Sequence, residues 1–149
     1  MRLPHVRALA LLLAGCAVPV AAQQAPSRLR TEYLENPIGI DAARPRFSWA
    51  LEHTGRGQKQ TAFQVLVSLA PEVKAGEVWD SGPVESNGSV LAPYGGKPLA
   101  GGQRYYWKVR YWDSAKRPSP YSEVAWFETG LLAKEGWKGQ WITGPGQLR

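Results

Sequence analysis

Arg104-Tyr105-Tyr106-Trp107-Lys108-Val109-Arg110-Tyr111-Trp112 is the longest regularly patterned stretch of the chain, and its reading decides the fold. Tyr105, Trp107, Val109 and Tyr111 alternate with Tyr106, Lys108, Arg110 and Trp112. A period of two places the first set on one face of a β-strand and the second on the other. Shorter runs of the same kind lie on both sides, each bounded by Gly, Pro, Asn or Asp. Residues 46–51 put Phe47, Trp49 and Leu51 together, and residues 62–69 put Phe63, Val65, Val67 and Leu69 together. Further short strands are predicted over 28–33, 77–80, 89–92 and 123–129. No segment carries a 3.6-residue apolar stripe, and there is no internal repeat. The pattern predicts an all-β, seven-stranded antiparallel immunoglobulin/fibronectin type III-like sandwich.

The approach to the long strand sharpens this expectation. Leu99 lies six residues before Tyr105, with Gly101-Gly102 between them. That is the spacing of a tyrosine corner, in which a buried Tyr hydroxyl bonds backbone across the bend into the strand. The alternative is that Tyr105 is one more core aromatic.

Composition agrees with short strands and many turns. The 149 residues include 7 Trp, 6 Tyr, 3 Phe, 12 Pro and 16 Gly. One cysteine excludes an intramolecular disulfide and a Cys-based zinc site, and there are only 2 histidines. The formal charge is +6. Part of it, Arg2 and Arg7, belongs to the N-terminal leader, and the other basic residues are scattered rather than striped, so no nucleic-acid partner is expected.

The first residues read as an export address. A basic Met1–Arg7 segment precedes the apolar run 8–14, which is too short to span a bilayer, since that takes about 20 residues. Two processing sites compete. Residues 1–22 form a signal peptide if cleavage follows Val20-Ala21-Ala22. Leu13-Ala14-Gly15-Cys16 instead has the form of a lipobox, giving a 1–15 lipoprotein signal and a lipidated Cys16. A lipid on Cys16 is the one membrane attachment expected. Residues 23–27 read as a linker, 28–130 as the sandwich, and 131–149, with Trp137 and Trp141, as a connection to something further.

No catalytic, cofactor-binding or metal-binding residues are expected. Glu77 with Asp80, and Glu123 with Glu128, are the closest carboxylate pairs in sequence, and both read as structural or solvated. His53 sits in a Gly-punctuated loop with no nucleophile motif nearby. Gly95-Gly96 and Gly101-Gly102 connect no strand to a helix and read as turn glycines. The outward set of the long strand is the candidate interaction face: Tyr106, Lys108, Arg110 and Trp112 combine two aromatics with two cations. Such a face suits stacking on sugar rings, and equally suits packing against a neighbouring domain.

Several ordered segments resemble the opening of bacterial α-L-rhamnosidases. They are Glu32-Tyr33-Leu34-Glu35-Asn36-Pro37-Ile38-Gly39-Ile40-Asp41, Pro45-Arg46-Phe47-Ser48-Trp49, Gln60-Thr61-Ala62-Phe63-Gln64-Val65-Leu66-Val67, Val78-Trp79-Asp80-Ser81-Gly82, the 104–113 stretch, Ser122-Glu123-Val124-Ala125-Trp126-Phe127-Glu128 and Trp141-Ile142. The resemblance covers residues 28 to 143. It implies a fibronectin type III-like accessory domain that precedes further domains and an (α/α)6 catalytic barrel. The family reaction it implies is inverting hydrolysis of terminal α-L-rhamnosides by an acid–base pair of carboxyl groups. Nothing here matches the barrel, so this chain alone is expected to be inactive and to need no cofactor. The expected partners are downstream domains of a parent enzyme and, through the candidate face, rhamnose-containing carbohydrate. The expected location is exported: periplasmic, outer-membrane-anchored or extracellular in a bacterium. The competing reading is a stand-alone exported module that binds carbohydrate or protein.

Overall fold

The computed structural model describes residues 23–52, 57, 59–133 and 139. The leader with Cys16, the loop residue His53, and Trp137 and Trp141 all lie outside these residues. The described chain forms eight strands and no helix: β1 (Ser27–Thr31), β2 (Arg46–Ala50), β3 (Ala62–Ser68), β4 (Trp79–Asp80), β5 (Val84–Glu85), β6 (Ala92–Pro93), β7 (Arg104–Trp112) and β8 (Ala125–Glu128). They build two sheets. One is three-stranded, in the order β1-β2-β6. The other is five-stranded, in the order β4-β3-β7-β8, with β5 also on β3. Every strand pairing is antiparallel.

The alternation of the long strand translates directly into burial. Tyr105, Trp107, Val109 and Tyr111 are all buried, and their neighbours on the strand are partly exposed. Phe47 of β2 sits at the centre of the core, its ring 4.5 Å from Trp107 and 5.9 Å from Phe127. Trp49 meets Phe63 edge-on at 5.0 Å, and Trp79 meets Tyr94 in the same way at 5.0 Å. Burying rings of this size supplies most of the apolar driving force available to so small a domain. The Trp49 indole is held by buried Gln60, whose carbonyl accepts its N–H at 3.0 Å. The Gln60 amide in turn donates to the Ser86 and Gly88 carbonyls at 3.2 and 2.6 Å. A buried polar group so fully partnered ties the β5–β6 crossover to the core.

The eighth strand arises where the sequence suggests a stop. Ser81-Gly82-Pro83 does not end the edge of the sheet. The Ser81 N–H donates to the Val65 carbonyl at 3.1 Å, and β5 resumes pairing with β3 at Ala62 and Phe63. Gly82, at φ 58°, absorbs the kink. At the other end of the chain, β1 stops at Thr31 rather than at Tyr33. Glu32 and Tyr33 both adopt left-handed conformations, φ 49° and 71°, in a two-residue hairpin closed by reciprocal Thr31–Leu34 backbone bonds. Such turns usually need Asn-Gly. Here Glu32 is locked instead by Arg46, which donates to its carboxylate from the backbone at 2.7 Å and from the guanidinium at 2.6 Å. These hydrogen bonds from Arg46 hold the Glu32 carboxyl below the ordinary carboxylate range, outweighing its burial.

The β7–β8 side of the large sheet is finished by irregular chain. Residues 36–40 run beside β8. The Asn36 side chain accepts the Trp126 N–H, Pro37 O accepts the Glu128 N–H, and Ile40 bridges Thr129 in parallel. Beyond β8, residues 118–122 take its place next to the upper half of β7. Pro118 and Pro120 have no N–H to give, but the Ser119 and Ser122 hydroxyls accept the Tyr111 and Val109 N–H groups, each at 3.1 Å.

Candidate interaction face

Tyr106, Lys108, Arg110 and Trp112 share the outer face of the five-stranded sheet, opposite Ser68, Leu66, Gln64 and Ala62 of β3. Trp126 and Glu128 of β8 join them, opposite Tyr106 and Arg104. None of the four is fully exposed, and the cations lie over aromatic rings. Lys108 Nζ and the Arg110 guanidinium each sit 4.8 Å from the Tyr121 ring, Arg110 is also 4.8 Å from Trp112, and Arg104 lies 4.1 Å over Trp126. Each such pair keeps its charge at the solvent boundary while shielding a ring from water.

The face is also cross-linked by hydrogen bonds. The Gln64 carbonyl accepts from Arg110 Nε at 2.9 Å and from the Tyr121 hydroxyl at 3.1 Å, while its amide donates to Asp80 at 2.6 Å. Burial pushes the Tyr121 phenol up, with the neighbouring Arg110 charge pulling the other way. Arg104 pairs with Glu128 at 3.1 Å. The Gln64 bonds tie Arg110, Tyr121, Gln64 and Asp80 into one network. The alternation of 104–112 identifies the four residues of β7 as one face. It does not reveal Tyr121, which follows Pro118-Ser119-Pro120 with no strand period, nor Gln64 and Asp80, which only the strand register brings beneath Arg110.

The remaining predicted positions are placed as follows. Leu99 is buried, and the Tyr105 hydroxyl accepts the Ala100 N–H at 2.8 Å across the Gly101-Gly102 bend. Gly101 has no room for a side chain there, since a Cβ would stand 2.7 Å from the Leu131 carbonyl. Among the described residues, no three His, Cys, Asp or Glu side chains converge as a metal site requires. A groove of about 380 Å³ between β1 and the start of β8 is bordered by the exposed carboxylates Glu35 and Glu123. Glu35 is paired with Arg30 at 3.6 Å.

A three-on-five antiparallel sandwich with a tyrosine-braced bend into its longest strand defines the chain as an immunoglobulin-like β-sandwich domain. The chain belongs to the family described as the Rha78A-like N-terminal immunoglobulin domain, which matches residues 26–133. It is 45% identical over 118 residues to an α-L-rhamnosidase of Streptomyces avermitilis, a match covering 78% of this chain and 12% of that protein. It is 41% identical over 113 residues to an α-L-rhamnosidase of Formosa agariphila, covering 72% and 12% respectively. The crystal structure of the Streptomyces avermitilis α-L-rhamnosidase complexed with L-rhamnose superposes with a TM-score of 0.78 at 41% identity, over 81% of this chain and 12% of that one. The α-L-rhamnosidase structure from Dictyoglumus thermophilum gives 0.77 at 46% identity, over 82% and 14%. The chain thus corresponds to the N-terminal immunoglobulin-like domain of α-L-rhamnosidases and spans about an eighth of their length.

Proposed function

We propose that this domain is the non-catalytic N-terminal module of an exported α-L-rhamnosidase-like glycoside hydrolase, and that its outer sheet face packs against and positions the domains that follow. The parent reaction in this reading is inverting hydrolysis of terminal α-L-rhamnosides. The observation that carries it is the 36–45% identity to four α-L-rhamnosidases, of which the chain spans only 12–14%. The domain's own chemistry supports the non-catalytic part. An inverting pair needs two carboxyl groups about 6.5–9.5 Å apart across a bound sugar. Here Glu32, Asp113 and Glu128 are each committed to an arginine of the fold. The purified chain should release no nitrophenol from a nitrophenyl α-L-rhamnoside, and release above the buffer rate would refute the assignment.

Sugar contact through the same face is the second reading, favoured by the partly exposed rings of Tyr106 and Trp112 beside donor cations. It requires a tryptophan fluorescence change on adding a rhamnoside that disappears in Trp112→Ala. Export belongs to the proposal as well, through either the 1–22 signal peptide or a lipidated Cys16. Radiolabelled palmitate incorporated by the native chain and lost in Cys16→Ala would decide for the lipid anchor. The linker roles of 23–27, whose last residue Ser27 already opens β1, and of 131–149 complete the proposed organisation.

A further inference from the structure

The chain contains two asparagines, and the fold prepares them very differently for attack by their own backbone. Asn36 is followed by proline, whose nitrogen carries no proton to lose, and its side-chain oxygen is occupied by the Trp126 N–H at 2.9 Å. Asn87 is followed by Gly88, and both residues are exposed at the tip of the turn that crosses from β5 to β6. No Cβ screens the Gly88 nitrogen, and its N–H is engaged by the Ser86 hydroxyl at 3.1 Å rather than by a ladder carbonyl.

We propose that Asn87 is a site of self-modification by succinimide formation. The Gly88 backbone nitrogen bonds to the Asn87 side-chain carbonyl carbon, losing its proton to solvent. The bond from that carbon to the side-chain nitrogen breaks, and ammonia leaves. Water then opens the ring at one of its two carbonyls, giving an aspartyl or an isoaspartyl linkage at position 87. No oxidant or reductant is involved, and the co-reactant is solvent water.

The position gives the reaction a structural consequence. Buried Gln60 clamps the carbonyls of Ser86 and Gly88, one on each side of Asn87. The Trp49 N–H bonds Ser89 just beyond, at 2.9 Å. An isoaspartyl linkage inserts a methylene into the main chain inside that clamp. Gln60 then cannot hold both carbonyls, and the crossover loses its tie to the Trp49 indole.

The test is incubation of the full chain in mildly alkaline buffer, followed by peptide mapping and isoaspartyl methyltransferase labelling. The expected result is a gain of one mass unit on the Asn87 peptide, methyl acceptance at that position, and none at Asn36. Gly88→Ala is the matched variant: its Cβ would lie 3.4 Å from Ser86 Oγ, an ordinary contact, so the turn is kept. It should slow the gain by about tenfold, because a side chain restricts the backbone conformations from which attack occurs. An unchanged Asn87 peptide, over a time in which a free 85–91 peptide reacts fully, would overturn the proposal. Isoaspartyl protein that melts at the same temperature as fresh protein would overturn the clamp.

Discussion

Replacing Tyr105 by phenylalanine isolates one hydrogen bond at the bend that feeds the longest strand. The Tyr105 ring is 4% exposed and stacks on Phe127 at 5.4 Å, contacts that phenylalanine keeps. What is lost is the acceptor for the Ala100 N–H at 2.8 Å. Removing one partner of a buried bond costs about 1–3 kcal/mol. The bond is only part-buried, so the lower end applies, about 1 kcal/mol. For a domain of this size that corresponds to a fall in Tm of roughly 5 °C. Urea unfolding followed by tryptophan fluorescence reads the change directly, with an unchanged m-value expected because the ring stays in place. The same bend is held by Thr129, whose hydroxyl donates to the Ala100 carbonyl at 2.7 Å and accepts the Gln103 N–H at 3.1 Å. Thr129→Val should therefore couple to Tyr105→Phe, with a double-mutant interaction of about 0.5 kcal/mol or more. A stability change near zero for Tyr105→Phe, or strict additivity of the pair, would remove the corner from the account of the fold.

Two further outcomes are expected. Gln60→Leu keeps the volume of a buried side chain but strands the Trp49 indole N–H and unbonds two carbonyls. It should cost roughly 2–4 kcal/mol in urea unfolding, and a loss below 1 kcal/mol would show that the clamp is incidental. Acid should weaken the fold through Glu32 and Asp113. Burial raises the Asp113 carboxyl, but hydrogen bonds from Arg117 and Ala115 outweigh it and the net shift is downward, as for Glu32. A carboxyl whose folded pKa is depressed adds stability that is fully present above its unfolded pKa of about 4, and that is lost as pH falls through the folded value. Glu32→Gln and Asp113→Asn should therefore be less stable than the parent at neutral pH and converge on it as the pH falls through the depressed folded values. A gap that persists unchanged in acid would refute the linkage.

The parts of this fold legible in sequence are those governed by alternation. In β2 and β7, each core-facing residue is followed by a polar or half-exposed one. By contrast β3 is buried on both faces, and Leu69, read on the core face with Phe63, Val65 and Val67, lies exposed past its end. Where the backbone departs from regular conformation, the residue types give no warning. Glu32-Tyr33 reads as the end of a strand because nothing in it looks like a type I′ turn, and its left-handed geometry depends on Arg46, fourteen residues away. Ser81-Gly82-Pro83 reads as a terminator, yet the edge continues past it because Val65 offers a carbonyl to Ser81. The candidate face divides along the same line. Its β7 residues follow from the period of two, whereas Gln64, Asp80 and Tyr121 belong to it through register and through the serine bonds that hold 118–122 in place.

Those serine bonds have a consequence for how the domain tolerates company. Tethering brings neighbouring stretches of a long polypeptide to about millimolar effective concentration, where an open strand rim would zip onto any other. Along the upper half of β7, Ser119 and Ser122 satisfy the strand, while Pro118 and Pro120 turn a donor-poor flank outward. Lower down, β8 is already taken by 36–40. On this side, then, neither β7 nor β8 is left as an open edge for a neighbouring stretch to extend.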